Sequence, residues 1–561
     1  MSVEKKYDLV VVGGGSAGSV LAARLSEEAA LQVCLIEAGP DTHGLNEPAV
    51  VRAPTLIAGH QRELLWPDYM ARFSKTAQPS WYKQGRIMGG GSSVNATQAP
   101  RAMPSDFDHW MSFGLEGWAY EDVLPYYKKL ENDHDFEGSQ HGQDGPIDIR
   151  RHRIDEWPPF TNAVARQMMA DGAPLIQDMN GDFRDGVQRL TMSTDGQRRI
   201  TTAYGYLNDE VRARPNLTIL SDCTVQTLIF EGEKVVGVQT GSDAIFGAHV
   251  ILCAGALGSP AILLRSGIGP EDELAHGQVK MRHHLPGVGQ NLQDHPVVFI
   301  ACHITKSAKQ KPQMKNHLNA GWRGSSKLAG TQPHDLYFNF PNTTTWNALG
   351  QRIAAIAVSL YKPSSRGRLT LDWQKPLPAP YADFNFWDEA IDLTRMRALV
   401  RKAWGLLDKP EVAPLITERF GLSFSPYVIK MNFRNRRNAF LAWLLTLLLD
   451  GPSFLRQKLF RWFIVRGQPL AEVINNDAAL DDWIKCNSAS FYHPSGSCRM
   501  GRSDDEMAVV DSRGAVHGVP GLSIIDASIM PAIPAANLNI TVIMMAEKAA
   551  DEFRQMLRNS Q

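Results

Sequence analysis

The sequence predicts an α/β fold, α+β over the whole length, built on a Rossmann-like dinucleotide-binding domain. Two stretches carry this reading. The first is Asp8 to Gly39, which reads as one βαβ unit. The second is His249 to Gly269, where a buried strand runs into a Gly-rich turn and a helix, a distant segment returning to the same ligand. In the first stretch Leu9 to Val12 form a short apolar run suited to a strand buried on both faces, and it ends abruptly in glycine. Gly13, Gly15 and Gly18 then stand in GxGxxG spacing. The first allows the tight turn, the second lets backbone approach a pyrophosphate, and the third lets the helix pack against the strand. A helix through Val20, Leu21 and Leu25 leads to a second strand, Val33 to Ile36, which delivers Glu37 nineteen residues after Gly18. That carboxylate suits a ribose 2′-OH and disfavours a 2′-phosphate, and so NADP. The fingerprint does not separate FAD from NAD.

With 561 residues, 43% hydrophobic and 21% charged, the chain requires two or three domains. A net charge of -1 gives no global field for nucleic acid, so no nucleic-acid partner is expected. The six cysteines (34, 223, 253, 302, 486, 498) lack CxxC spacing, and Cys34 and Cys253 lie in apolar strand-like runs; they read as reduced thiols. The polar start MSVEKKYD is followed at once by the first strand, and no apolar run reaches the ~18 residues of a spanning helix. A cytoplasmic protein is expected.

From Gly39 to Trp81 the sequence is proline-dotted and aperiodic, a long loop anchored by Trp66, Pro67, Tyr69 and Phe73 and wrapped over a cofactor. Gly85 to Asn95, GRIMGGGSSVN, leaves almost no side chain between the backbone and whatever lies against it, which suits contact with something flat or anionic. A flexible linker is the alternative, but Val94, Phe107 and Trp110 resume a packed pattern directly. Trp118 to Leu130 and Pro158 to Ala170 read as helices, and DGPIDI as a short strand. Asn216 to Val238 alternates, with the EGEK turn at 231–234 making a hairpin around Val225 and Val236.

These blocks resemble the glucose-methanol-choline (GMC) oxidoreductases, a family of flavoenzymes, over essentially the whole length. The resemblance rests on GGGSAG (13–18) with Glu37, GRIMGGGSSVN (85–95), GALGSPAILLRSGIG (255–269), NLQDHP (291–296), SFYHPSGSCRMG (490–501) and DASIMPAIPAANLNITVIMMAEKAAD (526–551). Met88 stands where the family more often has leucine or isoleucine, a volume-conserving change. Within the family the loop blocks look most similar to the bacterial oxidases of aryl and furfuryl alcohols, the hydroxymethylfurfural oxidases among them.

The resemblance implies an FAD-binding domain from 1–155, 200–300 and 480–561 and a substrate domain from 156–199 and 301–479, the latter an antiparallel sheet backed by helices. SRGRLTLDW (365–373) and ADFNFW (382–387) alternate with period two in agreement, and Asp388 to Leu407 follows as an amphipathic helix. It further implies FAD contacts at Gly13, Gly15, Ser16, Ala17 and Gly18, at Glu37 and Ala38, at Arg86, Gly90, Gly91, Asn95 and Ala96, at Val225 and Ala254, at Asp526 and Ala527, and at Asn537 and Leu538. Some members tether the flavin through a histidine in the Gly-rich block. Asn95 holds the flavin-facing position here, so non-covalent FAD is expected.

Oxidising an alcohol with a flavin needs a base for the hydroxyl proton, a donor for its oxygen and a hydride path. By resemblance His493 is the base and Asn537 the donor, 44 residues apart. The expected reaction takes a primary alcohol to an aldehyde, with O2 or a quinone as electron acceptor. Hydroxynitrile lyases and the light-driven fatty-acid decarboxylases share the fold, and a flavin-binding protein without catalysis is the bland alternative. Retention of both His493 and Asn537 argues against the decarboxylase. His283, His284 and His295 could be weighed as metal ligands, but no second ligand cluster has metal spacing, so no metal is expected.

Lys430 to Gly467 is longer and more apolar than the furfuryl-alcohol oxidases lead one to expect. Ala439 to Leu449 has only Thr446 polar; a DGP turn and a second helix, Phe454 to Val465, follow. Eight basic residues (Lys430, Arg434, Arg436, Arg437, Arg456, Lys458, Arg461, Arg466) stand against Asp450 alone. Two readings are open: a buried helical hairpin, or peripheral contact with a membrane surface.

Overall fold

The computed structural model describes residues 6–55, 57–241, 243–422, 430–460 and 468–559. Its nucleotide-binding half is a seven-stranded sheet. Lys6–Val12 lies at the centre, parallel to Val33–Ile36 on one side and to Ala244–Leu252 on the other; Leu217–Leu220 and Leu522–Ile524 extend the parallel set. The hairpin Val225–Glu231/Lys234–Thr240 adds an antiparallel edge, as its alternation predicts. All four residues of Val33–Ile36 are buried, which explains a continuous apolar run in place of alternation.

Register decides where the ligand loops fall. Val12 pairs with both Ile36 and Leu252, and Leu252 with Ile524, so four parallel strands end level with one another. Gly13, Glu37, Ala254 and Asp526 therefore emerge along one edge, at the carboxyl ends of the strands, where ligands bind in open α/β sheets. Helix Leu538–Asn559 packs on helices Ser16–Leu25 and Tyr120–Leu130 and brings its N-terminus to the same edge.

A second, eight-stranded sheet runs in the order Ile416–Leu422, Pro296–Ile304, Ile353–Leu360, Leu336–Asn339, Ala320–Gly324, Gly186–Arg189, Leu175–Ile176, with Ala489–Ser490 also paired to Pro296–Ile304. It is antiparallel except at Leu175–Ile176. Helix Ala390–Leu406 backs it. Strand Pro296–Ile304 runs across residue 300, where the sequence places a domain edge.

The stretches 365–373 and 382–387 do not belong to this sheet. Arg368–Asp372 and Ala379–Asp383 join Met70–Arg72 and Ser80–Trp81 in a separate four-stranded sheet. The alternation of 382–387 also outlasts its strand, because Asn385 (φ 52°) and Trp387 (φ 71°) turn the chain while Phe384, Phe386 and Trp387 stay buried.

In the apolar segment, helices form at Arg436–Leu449 and Ser453–Leu459; residues 461–467, with the end of the second expected helix, lie outside the described residues. Leu445, Leu449, Leu459 and Phe460 seat the pair on Phe420, Ile353 and Ala355 of the eight-stranded sheet. Asp450 is held by Arg352. Ala442 is buried as well, whereas Phe440, Leu441, Trp443, Leu444, Leu447, Leu448 and Phe454 are exposed, so burial accounts for only one face.

Candidate active site

A cavity of about 1690 Å³ runs from the glycine loops past His493 and Asn537 to helix Arg436–Leu449. That exceeds the roughly 300–1,000 Å³ of a pocket for one small ligand, and leaves room for a dinucleotide and a substrate together.

At the glycine end two Gly-rich loops interlock: Gly89 N donates to Gly14 O at 2.7 Å, and a Cβ on Gly90 would stand 2.8 Å from Gly15 Cα. Glu37 accepts from Gly14 N and Gly39 N, each at 2.8 Å, so its carboxylate also braces the fingerprint turn; burial pushes it up to about 7. Asp526 accepts from Gly255 N (2.9 Å) and Ser259 Oγ (2.6 Å) at the start of helix Gly255–Arg265. Burial raises it as well.

The fit to a dinucleotide is testable on this geometry. A Cβ on Gly91 or on Gly255 would meet nothing within 4 Å, so at both positions the backbone lies open. The N-terminus of helix Ser16–Leu25 faces the same space through Gly15, Ser16 and Ala17. Open backbone and a helix N-terminus suit a flat, anionic ligand, and FAD fits them.

Of the residues expected to contact FAD, all line the cavity but two: Gly13, Gly15, Ser16, Ala17, Glu37, Ala38, Gly90, Gly91, Asn95, Ala96, Val225, Ala254, Asp526, Ala527, Asn537 and Leu538 do. Gly18 lies one layer back, where a Cβ would sit 1.8 Å from Gly13 O; it serves the helix–strand contact. Arg86 is also behind the wall, its guanidinium 5.6 Å from the Trp66 ring.

At the other end Asn537 Nδ2 lies 3.1 Å from His493 Nε2. His493 Nδ1 is 2.9 Å from His295 Nδ1, and His295 Nε2 is 3.1 Å from the Pro534 carbonyl. A carbonyl only accepts, so His295 carries its proton on Nε2 and offers the Nδ1 lone pair. His493 must then donate from Nδ1, which leaves its Nε2 lone pair facing Asn537 and the cavity. Burial holds both imidazoles neutral, His493 down to about 3 and His295 well below the usual range. The Tyr361 hydroxyl donates to Asn537 Oδ1 at 3.3 Å, which turns the amide nitrogen toward His493. Tyr361 is stacked between His295 (4.2 Å) and Tyr337 (4.1 Å).

Asp294 clamps the loop that carries the histidine. It accepts from His493 N (2.9 Å), His295 N (2.7 Å), Tyr82 OH (2.7 Å) and Ser490 Oγ, and burial pushes it up to about 6. The segment leading to Asn537 is held by Asp106, which accepts from Ala535 N (2.9 Å) and from Lys362 Nζ (2.7 Å). Arg199, fully buried, fixes Asn95 through its backbone oxygen (2.6 Å) and Oδ1 (2.5 Å).

The orienting role of His295 in the 291–296 block is not among the expectations from sequence, nor are the roles of Asp294, Tyr361, Asp106 and Arg199. For His295 and Asp294 the NLQDHP block is itself the signal; Tyr361 and Arg199 lie in no motif. Of the histidines weighed as metal ligands, His283 and His284 form a two-residue strand beside Ile268–Gly269, and His295 serves His493. The described residues do bring Glu131, Asp133 and His141 together, but Arg101 and Arg151 pair with those carboxylates.

Comparison with known proteins agrees with this geometry. The N-terminal and C-terminal family models described as GMC oxidoreductase match residues 7–297 and 363–546. The chain is similar to the 5-(hydroxymethyl)furfural oxidase of Methylovorus sp. (strain MP688), 36% identical and covering 97% of this chain and 98% of that protein. It is also similar to an oxygen-dependent choline dehydrogenase of Yersinia pseudotuberculosis, 32% identical over 98% and 94% of the two chains. Among solved structures, pyridoxine 4-oxidase from Mesorbium loti superposes with a TM-score of 0.81 at 28% identity, covering 98% and 99%. A strand-end glycine cradle, a histidine whose unprotonated Nε2 meets an asparagine amide, and family matches over both halves lead to one conclusion: this chain belongs to the GMC oxidoreductases.

Proposed function

We propose that this FAD-dependent oxidoreductase of CH–OH donors converts a primary alcohol to its aldehyde, with His493 as base and Asn537 as hydrogen-bond donor. The observation that carries the reading is the tautomer chain Pro534–His295–His493–Asn537, which leaves His493 Nε2 unprotonated and accepting from Asn537 Nδ2 at the cavity wall, where an alcohol oxygen can engage both. An alcohol oxygen between His493 Nε2 and Asn537 Nδ2 gives its proton to the first and accepts from the second. As the proton leaves, negative charge grows on oxygen and the Asn537 hydrogen bond strengthens, which is where a fixed donor lowers a barrier. His295 accepts from His493 Nδ1–H throughout, so the ring does not turn as Nε2 takes up its proton. What FAD supplies when bound is a two-electron acceptor for the carbinol hydride, re-oxidised by O2 or by a quinone.

FAD would be held without a covalent tether: Asn95, whose Oδ1 accepts from Arg199, stands where, by resemblance, tethered relatives carry histidine. Acid or heat is expected to release free FAD, and yellow colour left on the precipitated polypeptide would refute this. Furfuryl and aryl alcohols are the first substrates to try, by similarity to the furfural oxidase. The cytoplasm is the proposed location, in keeping with six cysteines that form no disulfide. The reading extends to residues 430–467 as a membrane-contact surface.

The test is anaerobic reduction of the purified flavoprotein by a panel of primary alcohols, then re-oxidation by air or a quinone analogue. Bleaching by at least one alcohol with release of its aldehyde is expected. A flavin that no alcohol bleaches would overturn the reading.

A further inference from the structure

Helix Arg436–Leu449 presents two apolar faces that the fold does not cover. Leu441, Leu444 and Leu448, at helical spacing, line the cavity and yet are 38%, 41% and 40% exposed, so the cavity opens to the outside along them. Beside them Phe440, Trp443 and Leu447, with Phe454 from the next helix, point outward at 58%, 51%, 51% and 66% exposure. Scattered exposed apolar residues need no explanation; a contiguous aromatic and aliphatic patch at a cavity mouth does.

The charge around the patch has one sign. Lys430, Arg434, Arg436, Arg437 and Lys458 are exposed, and none forms an ion pair among the described residues. Two acids at this hairpin are taken: Asp450 by Arg352, and Glu418 by Arg456 at 3.4 Å. No described helix is long and apolar enough to cross a membrane, which leaves a surface for lying on one.

We propose that this face docks the enzyme on an anionic membrane surface. Phe440, Trp443, Leu447 and Phe454 enter the headgroup layer, the cations meet lipid phosphates, and the Leu441–Leu444–Leu448 mouth opens toward the bilayer. Lipophilic primary alcohols then reach His493 from the lipid without crossing water. The substrate half of this inference rests on the alcohol-oxidising reading; the docking half does not.

Holoenzyme is mixed with phosphatidylcholine vesicles with or without phosphatidylglycerol and sedimented. Binding to the anionic vesicles at low salt and release as salt shortens the Debye length are expected. Phe440→Ser/Trp443→Ser/Leu447→Ser should weaken binding at least tenfold, roughly, through lost apolar burial, and Arg434→Glu/Arg436→Glu/Arg437→Glu by about a hundredfold. Both variants should bleach with a water-soluble alcohol as the parent does, and respond more slowly than the parent to a long-chain alcohol dissolved in the vesicles. Wild-type enzyme left in the supernatant, or variants that bind as well as the parent, would overturn the docking. A concentration-dependent dimer that the serine variant abolishes, without vesicle binding, would assign the face to a second copy instead. Vesicle binding with no bleaching by any alcohol would refute the substrate half alone.

Discussion

His493 and Glu37 are both buried polar groups at the wall of one cavity, and their neighbours set them apart. Behind His493 stand His295, Asp294 and the Pro534 carbonyl, a rigid set that leaves its Nε2 unprotonated and turned toward Asn537. Behind Glu37 stand two backbone amides of the fingerprint and strand-end turns. His493→Ala should therefore retain FAD and slow anaerobic flavin reduction by about 10²–10⁴, the range for a general base. Glu37→Ala should first lower FAD affinity. Stopped-flow reduction and FAD titration separate the two, and an unchanged reduction rate in His493→Ala would remove it from the role. His295→Phe keeps the ring stacked against Tyr361 but gives His493 Nδ1–H no acceptor, so the His493 ring loses its fixed orientation. The expected sign is a slower reduction at every pH with FAD affinity unchanged; an equal loss of FAD affinity would make His295 merely structural.

At the scale of elements, the glycines divide into those that close the fold and those that face the ligand. A Cβ on Gly18 would stand 1.8 Å from a backbone oxygen, whereas one on Gly91 meets no protein atom within 4 Å. Gly18→Ala is expected to cost on the order of 1–3 kcal/mol of stability, as overpacking does, visible as a lowered melting temperature of the apoprotein. Gly91→Ala should melt as the parent does and bind FAD more weakly, because its methyl group occupies cofactor space. A Gly91→Ala protein with parental FAD affinity would show that the cofactor does not lie against that backbone. The same contrast explains what the sequence reveals. The βαβ unit is legible because glycine spacing, apolar runs and the terminal acid are all local signals. Strands such as Ile353–Leu360, IAAIAVSL, are buried at every position, so they carry no alternation and resemble helix as much as strand. The 365–373 alternation is real, but the sheet it joins is decided through its neighbour Ala379–Asp383, which pairs with the distant Met70–Arg72. His493 and Asn537 are readable because their blocks resemble a family. Tyr361, which orients Asn537 from 176 residues away in sequence, has no local signature at all.

At the scale of the whole molecule, burial of titratable groups makes stability depend on pH with a sign that can be worked out. His60 and His493 are lowered to about 3, and His249 and His303 to about 4, in each case first by burial. These four stay neutral in the folded state while the unfolded chain protonates them near pH 6.5. Their contribution is complete above that pH and is lost as pH falls below it. Glu37 (about 7) and Asp294 (about 6) act the opposite way: burial raises them, so the folded state takes up their two protons first and regains stability as pH falls through those values. His141 stabilises below pH 6.5. Burial lowers it, but Asp133, Asp178 and Glu131 outweigh burial and raise it to about 10, so its contribution is lost only as pH rises through that value. Near pH 5.5 the four lowered histidines, with His295 also held neutral by burial, outnumber the two raised carboxyls, so the unfolded chain holds more protons than the folded one, and each excess proton steepens the loss of stability by roughly 1.4 kcal/mol per pH unit. Against a net stability of about 5–15 kcal/mol this is large. Thermal unfolding at fixed FAD should show a melting temperature that falls steeply from about pH 6.5 to about pH 5, and His303→Asn, which removes one buried imidazole, should flatten the slope by about one proton. A melting temperature that stays level across that window would mean that the buried histidines are compensated by groups other than Glu37 and Asp294.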